Sequence, residues 1–376
     1  MRKVFYVSGT RADFGLMEDT LKKIHSHPEL SLSIIVTGMH LLEDYGNTWQ
    51  EIKHAGLDIV HKVPVSLSGS SKRDMSLAIG ENIIAYTHIL EIEKPDVLLL
   101  LGDRGEMLAG AIAAAHLNIP VVHIHGGERS GTIDESIRHA ITKFAHYHLV
   151  ATENSRQRLI RMGEMPDNIV VTGAPGLDSI VNLKFVQKEL LFNRYELNPN
   201  KPLFLVLFHP VVQQIDSLSE QVNNLLSVVL ELGQPVLMLM PNSDAGGQEI
   251  KREIDKLEDH PNLKLAIHVP RNDFLSLVKY ADVLVGNSSS GIIEAASLGT
   301  KVLNVGTRQN LRERSANVVD VGTSQIEIRN GLMQAMSIRG KKWTNVYGDG
   351  TASDKIVRFL NDVTLDSAVL EKANAY

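Results

Sequence analysis

Residues 97–106 read Val-Leu-Leu-Leu-Leu-Gly-Asp-Arg-Gly-Glu: five apolar residues with no alternation, then glycine and charge. A strand that is apolar on both faces belongs in a parallel sheet covered on both sides by helices. The charges begin where the strand ends, and in open parallel sheets ligands bind beyond the carboxyl ends of the strands. The same order recurs along the chain. Comparable runs occupy Val4–Ser8, Ser33–Thr37, Val121–Ile124, His148–Thr152 and Ile169–Thr172. The second half has Leu203–Phe208, Val236–Met240, Leu263–Val269, Val283–Val285, Val302–Val305 and Val318–Val321. Helical spacing lies between them, as in Met17, Leu21 and Ile24, or Ile137, Ile141 and Phe144. The alternation predicts an α/β protein of two Rossmann-like domains facing a central cleft, with about six strands in each half. The polar stretch Val186–Lys201 ends in Asn198-Pro199-Asn200-Lys201-Pro202 and reads as a linker. It places the domains at 1–185 and 186–355. Ser353–Asn361 is helical in pattern, but its residues do not say where it packs.

Composition narrows the functional classes. The chain has 376 residues, 43% hydrophobic and 22% charged, which excludes a disordered or fibrous protein. There is no cysteine, so disulfides, thiolate metal sites and a Cys nucleophile are excluded. A net charge of −6 without a basic tract argues against nucleic acid as a partner. No apolar run approaches the roughly 20 residues that span a bilayer. Met1–Val7 runs straight into a strand without the apolar region of a secretory signal. A cytoplasmic enzyme or binding protein for a small molecule is the expectation.

Five polar clusters follow the strand runs. In Gly9-Thr10-Arg11-Ala12-Asp13, Arg11 is a candidate for an anionic group and Asp13 for a helix cap. In Gly102-Asp103-Arg104-Gly105-Glu106, Asp103 sits at the mouth of a buried strand, where partial burial raises a carboxyl pKa and suits a general base. The competing reading of Asp103 is a helix cap. The third cluster is His123-Ile124-His125-Gly126-Gly127-Glu128 followed by Gly131–His139. Period two puts His123 and His125 on one strand face. Thr132 and Glu135 have capping-box spacing, and Asp134 and Arg138 share a helix face. A zinc-binding His pair is disfavoured because no further ligand falls at a characteristic spacing, and no metal is expected. His209 ends the first strand of the second half, where it can donate to a phosphate or act catalytically in proton transfer. Finally, Gly286-Asn287-Ser288-Ser289-Ser290-Gly291 opens a helix, and free backbone N–H groups there favour phosphate. Glu294, one turn in, is a ribose candidate, and Arg308 adds a cation after the next strand. No Walker A, Gly-X-Gly-X-X-Gly or Gly-X-Ser-X-Gly motif occurs at the required positions, so no nucleotide cofactor or serine-hydrolase chemistry is expected.

Thr10-Arg11-Ala12-Asp13, Gly102-Asp103-Arg104, Gly126-Gly127-Glu128, Gly131–Ala140, His209-Pro210, Asn287-Ser288-Ser289 and Gly306-Thr307-Arg308-Gln309 together resemble the hydrolysing UDP-N-acetylglucosamine 2-epimerases over nearly the whole chain. The resemblance implies the glycosyltransferase-B architecture, with a C-terminal helix (356–376) crossing back to the first domain. It also implies a homodimer, no cofactor, and a UDP-sugar as substrate with UDP as product. The implied reaction splits the sugar–UDP bond and inverts C2, through elimination to a 2-acetamidoglucal and then hydration. Asp103, His125 and Asp134 become the acid–base candidates. Arg11, His209, Ser288, Ser289 and Arg308 become the diphosphate candidates, with Ser290 and Gly291 beside them in the same turn. Glu294 is assigned to ribose. Asp13, Arg104, Glu128 and Arg138 fall beside the substrate, where Arg104 and Arg138 orient carboxylates or touch sugar. Asn242 and Asp244 are similar to residues lining the cleft. The resemblance implies UDP-N-acetylglucosamine as substrate and N-acetylmannosamine as product; many relatives have Glu where this chain has His125, which keeps UDP-2,4-diacetamido-2,4,6-trideoxyglucose as the alternative substrate. A glycosyltransferase and a non-catalytic nucleotide-sugar sensor remain as readings of another class.

Overall fold

The computed structural model describes residues 1–66, 72–181, 183–240, 246–257, 259–267, 269–340 and 342–376. Seven strands form the first sheet: β1 (Arg2–Ser8), β2 (Leu30–Thr37), β3 (Ile59–Val63), β4 (Val97–Leu101), β5 (Val121–Ile124), β6 (Tyr147–Val150) and β7 (Ile169–Val171). Their spatial order is β3-β2-β1-β4-β5-β6-β7, and every neighbouring pair is parallel. The second sheet holds β8 (Phe204–Leu207), β9 (Val236–Leu239), β10 (Leu263–Ala266), β11 (Val283–Gly286), β12 (Lys301–Val305) and β13 (Val318–Val321). Its order is β10-β9-β8-β11-β12-β13, again all parallel. The doubly wound α/β architecture expected from the apolar runs is the one observed. All five residues of β4 are buried, as a strand between two helix layers requires.

Strand order reverses between β1 and β4 in the first sheet and between β8 and β11 in the second. At such switch points the connections leave in opposite directions and a crevice opens at the carboxyl edge. The segments after β1, β4, β8 and β11 are four of those that carry the polar clusters.

Two local expectations are corrected. The first sheet has a seventh strand, β3, at its edge. Its residues Ile59-Val60-His61-Lys62-Val63 alternate between exposed and less exposed positions, so β3 lacks the two-faced apolar pattern of the interior strands. The stretch read as a linker contains a helix, Lys188–Arg194, whose Leu191 and Phe192 are buried in the second core.

The helix Ala352–Asp362 lies against the first sheet, although it follows all the strands of the second. Ile356, Val357 and Leu360 join the core that contains Val4, Tyr6, Met17 and Leu21. At roughly 2 kcal/mol per buried aliphatic side chain, that face is a large share of a typical domain's stability. Its amino end is fixed by Asp178, whose carboxylate accepts from the backbone N–H groups of Ala352 (3.1 Å) and Ser353 (2.7 Å). Among the described residues no helix is long and apolar enough to cross a membrane.

Candidate active site

A cavity of about 380 Å³ lies between the carboxyl edges of the two sheets, with walls from both. From the first lobe it receives Arg11, Asp13, Asp103, Arg104, His125, Glu128 and Arg138. From the second it receives His209, Ser288, Ser289, Ser290, Glu294 and Arg308. A second recess, at the β13 edge, is lined by Asp320 and Glu327 and has no basic group. Those acids are already engaged, Asp320 by Arg314 at 2.5 Å and Glu327 in the cap of the helix Gln325–Ser337. It is the central cavity that combines cations, carboxylates and a serine-rich helix start, the set that an anionic substrate undergoing proton transfer needs.

β1 delivers Thr10, which caps the helix Arg11–Ser26. Asp13 is not the cap; it is the acidic partner in a capping box whose N-cap is Thr10. Its buried carboxylate also takes the Tyr6 hydroxyl (3.3 Å) and the backbone N–H of Gly9 (3.0 Å) and Thr10 (2.6 Å). Burial pushes the Asp13 carboxyl up, against the pull of those donors. Arg11 turns its Nε to Glu51 at 2.9 Å.

β4 delivers Asp103 after Gly102, which takes φ of +81°. The following helix starts at Gly105 with Arg104 at the N-cap position and no side-chain cap. Asp103 is therefore not used up as a cap. Its carboxylate takes a hydrogen bond from Arg138 Nη2, the guanidinium of a side chain only 1% exposed. Arg138 Nη1 donates to the Glu128 carbonyl at 3.1 Å. Burial, followed by the Arg312 guanidinium, draws the Arg138 pKa well below its ordinary value.

β5 ends at Ile124, and His125 adopts φ of +64°, in the left-handed region that a non-glycine residue seldom occupies. This kink ends the period-two alternation, so the two histidines do different things. His123 is fully buried, with Nε2 2.7 Å from the Gly102 carbonyl and Nδ1 3.3 Å from Thr142 Oγ1. Burial lowers its pKa to about 3, which makes it a neutral strut. His125 instead faces the cavity, with Nδ1 bonded to Glu128 Oε1. Burial alone would raise the Glu128 carboxyl, but Arg312 and His125 outweigh it and hold it down to about 2.

The capping box expected at Thr132 is not formed. The Glu135 carboxylate reaches past Thr132 to the backbone N–H groups of Ser130 (2.7 Å) and Gly131 (2.6 Å). Thr132 gives its hydroxyl to Asp134 at 3.2 Å and makes no cap bond. Asp134 is half-buried at the start of this helix and is not part of the cavity wall.

In the second lobe Asn287 organises the site. Its Oδ1 accepts from the His209 backbone N–H (2.7 Å) and its Nδ2 donates to the His209 carbonyl (2.9 Å), joining the ends of β8 and β11. Its own carbonyl accepts from Arg308 Nη1 at 3.1 Å and Gln309 Nε2 at 3.0 Å. Gly286 has φ of +131°, and a Cβ there would stand 2.0 Å from the Leu207 carbonyl, so only glycine permits this turn. Ser288 caps the helix Ser289–Ile293, accepting from Ser290 N–H at 3.4 Å. Gly291, expected as a ligand contact, is buried with Val302 and Leu284 beside it; it permits close packing and does not line the cavity. Glu294 does line it, with its carboxylate bonded to Arg271. Asn242 and Asp244 lie outside the described residues. Among the described residues no cluster of three His, Asp or Glu is arranged to hold a metal ion.

Two charged cavity residues, Arg271 and Arg312, escaped the sequence reading. Both follow strand ends, β10 and β12, so the rule that pointed to the other clusters also pointed at them. Arg312 Nη1 lies 3.0 Å from Glu128 Oε2 and Nη2 lies 3.8 Å from Asp103 Oδ2, so a second-lobe cation stands among first-lobe carboxylates.

Two facing α/β lobes, with the cavity at their switch points, define a protein of the glycosyltransferase-B-like fold class. Residues 22–361 match the family model described as UDP-N-acetylglucosamine 2-epimerase, and the chain belongs to that family. It is 50% identical over 376 residues, all of both chains, to a Legionella pneumophila protein named UDP-N,N'-diacetylbacillosamine 2-epimerase (hydrolyzing). It is 32% identical over 364 residues to a UDP-N-acetylglucosamine 2-epimerase of Neisseria meningitidis, covering 96% of this chain and 94% of that one. The crystal structure of the Methanocaldococcus jannaschii UDP-GlcNAc 2-epimerase in complex with UDP-GlcNAc and UDP superposes with a TM-score of 0.81 at 21% identity, covering 95% and 99% of the two chains, and shares the fold.

Proposed function

We propose that the chain hydrolyses a UDP-linked 2-acetamido sugar with inversion at C2, and that this sugar is 2,4-diacetamido-2,4,6-trideoxyglucose (N,N'-diacetylbacillosamine). One observation carries the reaction: the serine turn and Arg308 of one lobe share a cavity with Asp103 and His125 of the other. An anionic leaving group and a C2 proton are thereby served from opposite walls. The choice of sugar rests on the full-length 50% identity to the Legionella protein, against 32% to the Neisseria one.

In the first step a base takes the C2 proton, the C1–O bond breaks and UDP leaves with the bonding pair, giving the 1,2-unsaturated sugar. In the second, water adds its oxygen at C1 and a proton enters C2 from the opposite face. Asp103 and His125 are the acid–base candidates that line the cavity; Asp134, one helical turn ahead of Arg138, is the third. Glu128 holds His125 through Nδ1, which leaves Nε2 as the nitrogen to exchange a proton. Ser288–Ser290, His209, Arg11 and Arg308 receive the diphosphate, and Glu294 the ribose. The lobes are taken as 1–185 and 186–355, with 356–376 as the return segment. The strands support this division, and the helix Ala352–Asp362 straddles the second border.

The test is incubation in heavy water with each of the two UDP-sugars. The expected result is one deuterium at C2 of the released 2-epimeric sugar, with the diacetamido substrate turned over faster. UDP release without deuterium at C2 would leave a hydrolase or transferase, and faster turnover of UDP-N-acetylglucosamine would reverse the substrate assignment.

A further inference from the structure

We infer that Arg312 is a positioning residue: it reaches across the cleft from the second lobe and holds the Asp103, Glu128 and His125 side chains of the first in their working arrangement. The inference rests on the function proposed above. Its guanidinium is 10% exposed and closes a ring of contacts. Nη1 meets Glu128 Oε2, Glu128 Oε1 meets His125 Nδ1, and Nη2 approaches the Asp103 oxygen that Arg138 also holds. Arg138 completes the ring through the Glu128 carbonyl. Glu128 is 4% exposed, and a carboxylate that buried is costly without a cation. Without Arg312 it would tend to take up a proton and cease to be the acceptor that fixes the His125 ring. The other ionisable groups facing Glu128 are Arg158 from the helix Glu153–Arg161, Arg138 from the helix Ile133–Phe144, and Tyr347.

Arg312 belongs to the same turn as Arg308, which is anchored to the carbonyl of Asn287 at the head of the serine turn. A diphosphate settling on that turn therefore also fixes where Arg312 stands. Leaving-group binding in one lobe and proton-transfer geometry in the other are joined by a single short segment.

The experiment compares wild type, Arg312→Lys and Arg312→Met on UDP-2,4-diacetamido-2,4,6-trideoxyglucose, with UDP affinity measured by calorimetry. UDP affinity is expected to stay within about threefold, while kcat falls about a hundredfold or more in Arg312→Met. Arg312→Lys and added guanidinium should each restore part of that loss. The acid limb of the kcat/KM profile should move to higher pH in Arg312→Lys, a shift that a purely structural defect would not produce. If Arg312→Met does not fold, the Lys variant carries the test through this limb. A loss of UDP affinity as large as the loss of kcat assigns Arg312 to the diphosphate and overturns the inference. So does an active wild type with unchanged variants. A wild type inactive on both UDP-sugars overturns the underlying function itself.

Discussion

His125 shows how much one residue can be asked to do. Its left-handed backbone costs of order 1–2 kcal/mol, and that kink turns the ring out of the sheet into the cavity. Asn tolerates this conformation better than most residues. His125→Asn is therefore expected to keep its thermal midpoint within a few degrees while kcat drops about a hundredfold or more; an equal fall in both would mark His125 as structural. Asp103→Asn should abolish turnover and leave UDP affinity nearly unchanged in calorimetry, since its carboxylate is assigned to proton transfer. At Gly286 the geometry predicts the reverse emphasis. Gly286→Ala forces a Cβ onto the Leu207 carbonyl, which should cost roughly 2–4 kcal/mol in urea unfolding and weaken UDP binding by distorting the serine turn. Asp103, His125 and the serines were legible because they follow apolar runs directly. Arg312 was legible only as a cation somewhere past the end of β12; its importance lies in carboxylates remote in sequence from it.

Interior strands announce themselves by unbroken apolar runs, whereas β3, half exposed, does not. The Lys188–Arg194 helix was hidden by its polar neighbours, since two buried side chains suffice to anchor so short an element. Around the helix Ile133–Phe144, which carries Arg138, the decisive contacts come from other elements. Glu164, 2% exposed, meets Lys143 (2.8 Å), His148 (3.0 Å) and Lys372 (2.7 Å). Lys372 in turn donates to the Thr142 carbonyl at 2.9 Å, near the end of that helix. Glu164→Gln leaves the partly buried Lys372 and the buried His148 without their carboxylate and should destabilise the protein by about 1–3 kcal/mol in urea titration. A change below about 0.5 kcal/mol would mean that water screens the cluster.

Across the whole molecule, buried titrating groups set the acid limit of stability. Burial holds His40 at about 4 and His123 at about 3 when folded, against an ordinary 6.5. The unfolded chain therefore takes up their protons first. Their contribution is complete above about pH 6.5 and shrinks as pH falls towards 4, by at most ~1.4 kcal/mol per pH unit for each group. Glu128 and Glu164, held at about 2 against an ordinary 4.5, add a second loss that begins below about pH 4.5. The urea midpoint should fall between about pH 6.5 and pH 5, and fall further below that; a midpoint flat over the first interval would show that these histidines are not buried neutral. The return of the helix Ala352–Asp362 to the first sheet has a further consequence, for biosynthesis. On the ribosome, the amino-terminal lobe emerges with the greasy surface beneath Val4, Tyr6 and Met17 uncovered until the intervening lobe has been translated. That lobe should engage chaperones during elongation, and a message cut short after codon 351 should yield an insoluble product even though every strand of both sheets has been made.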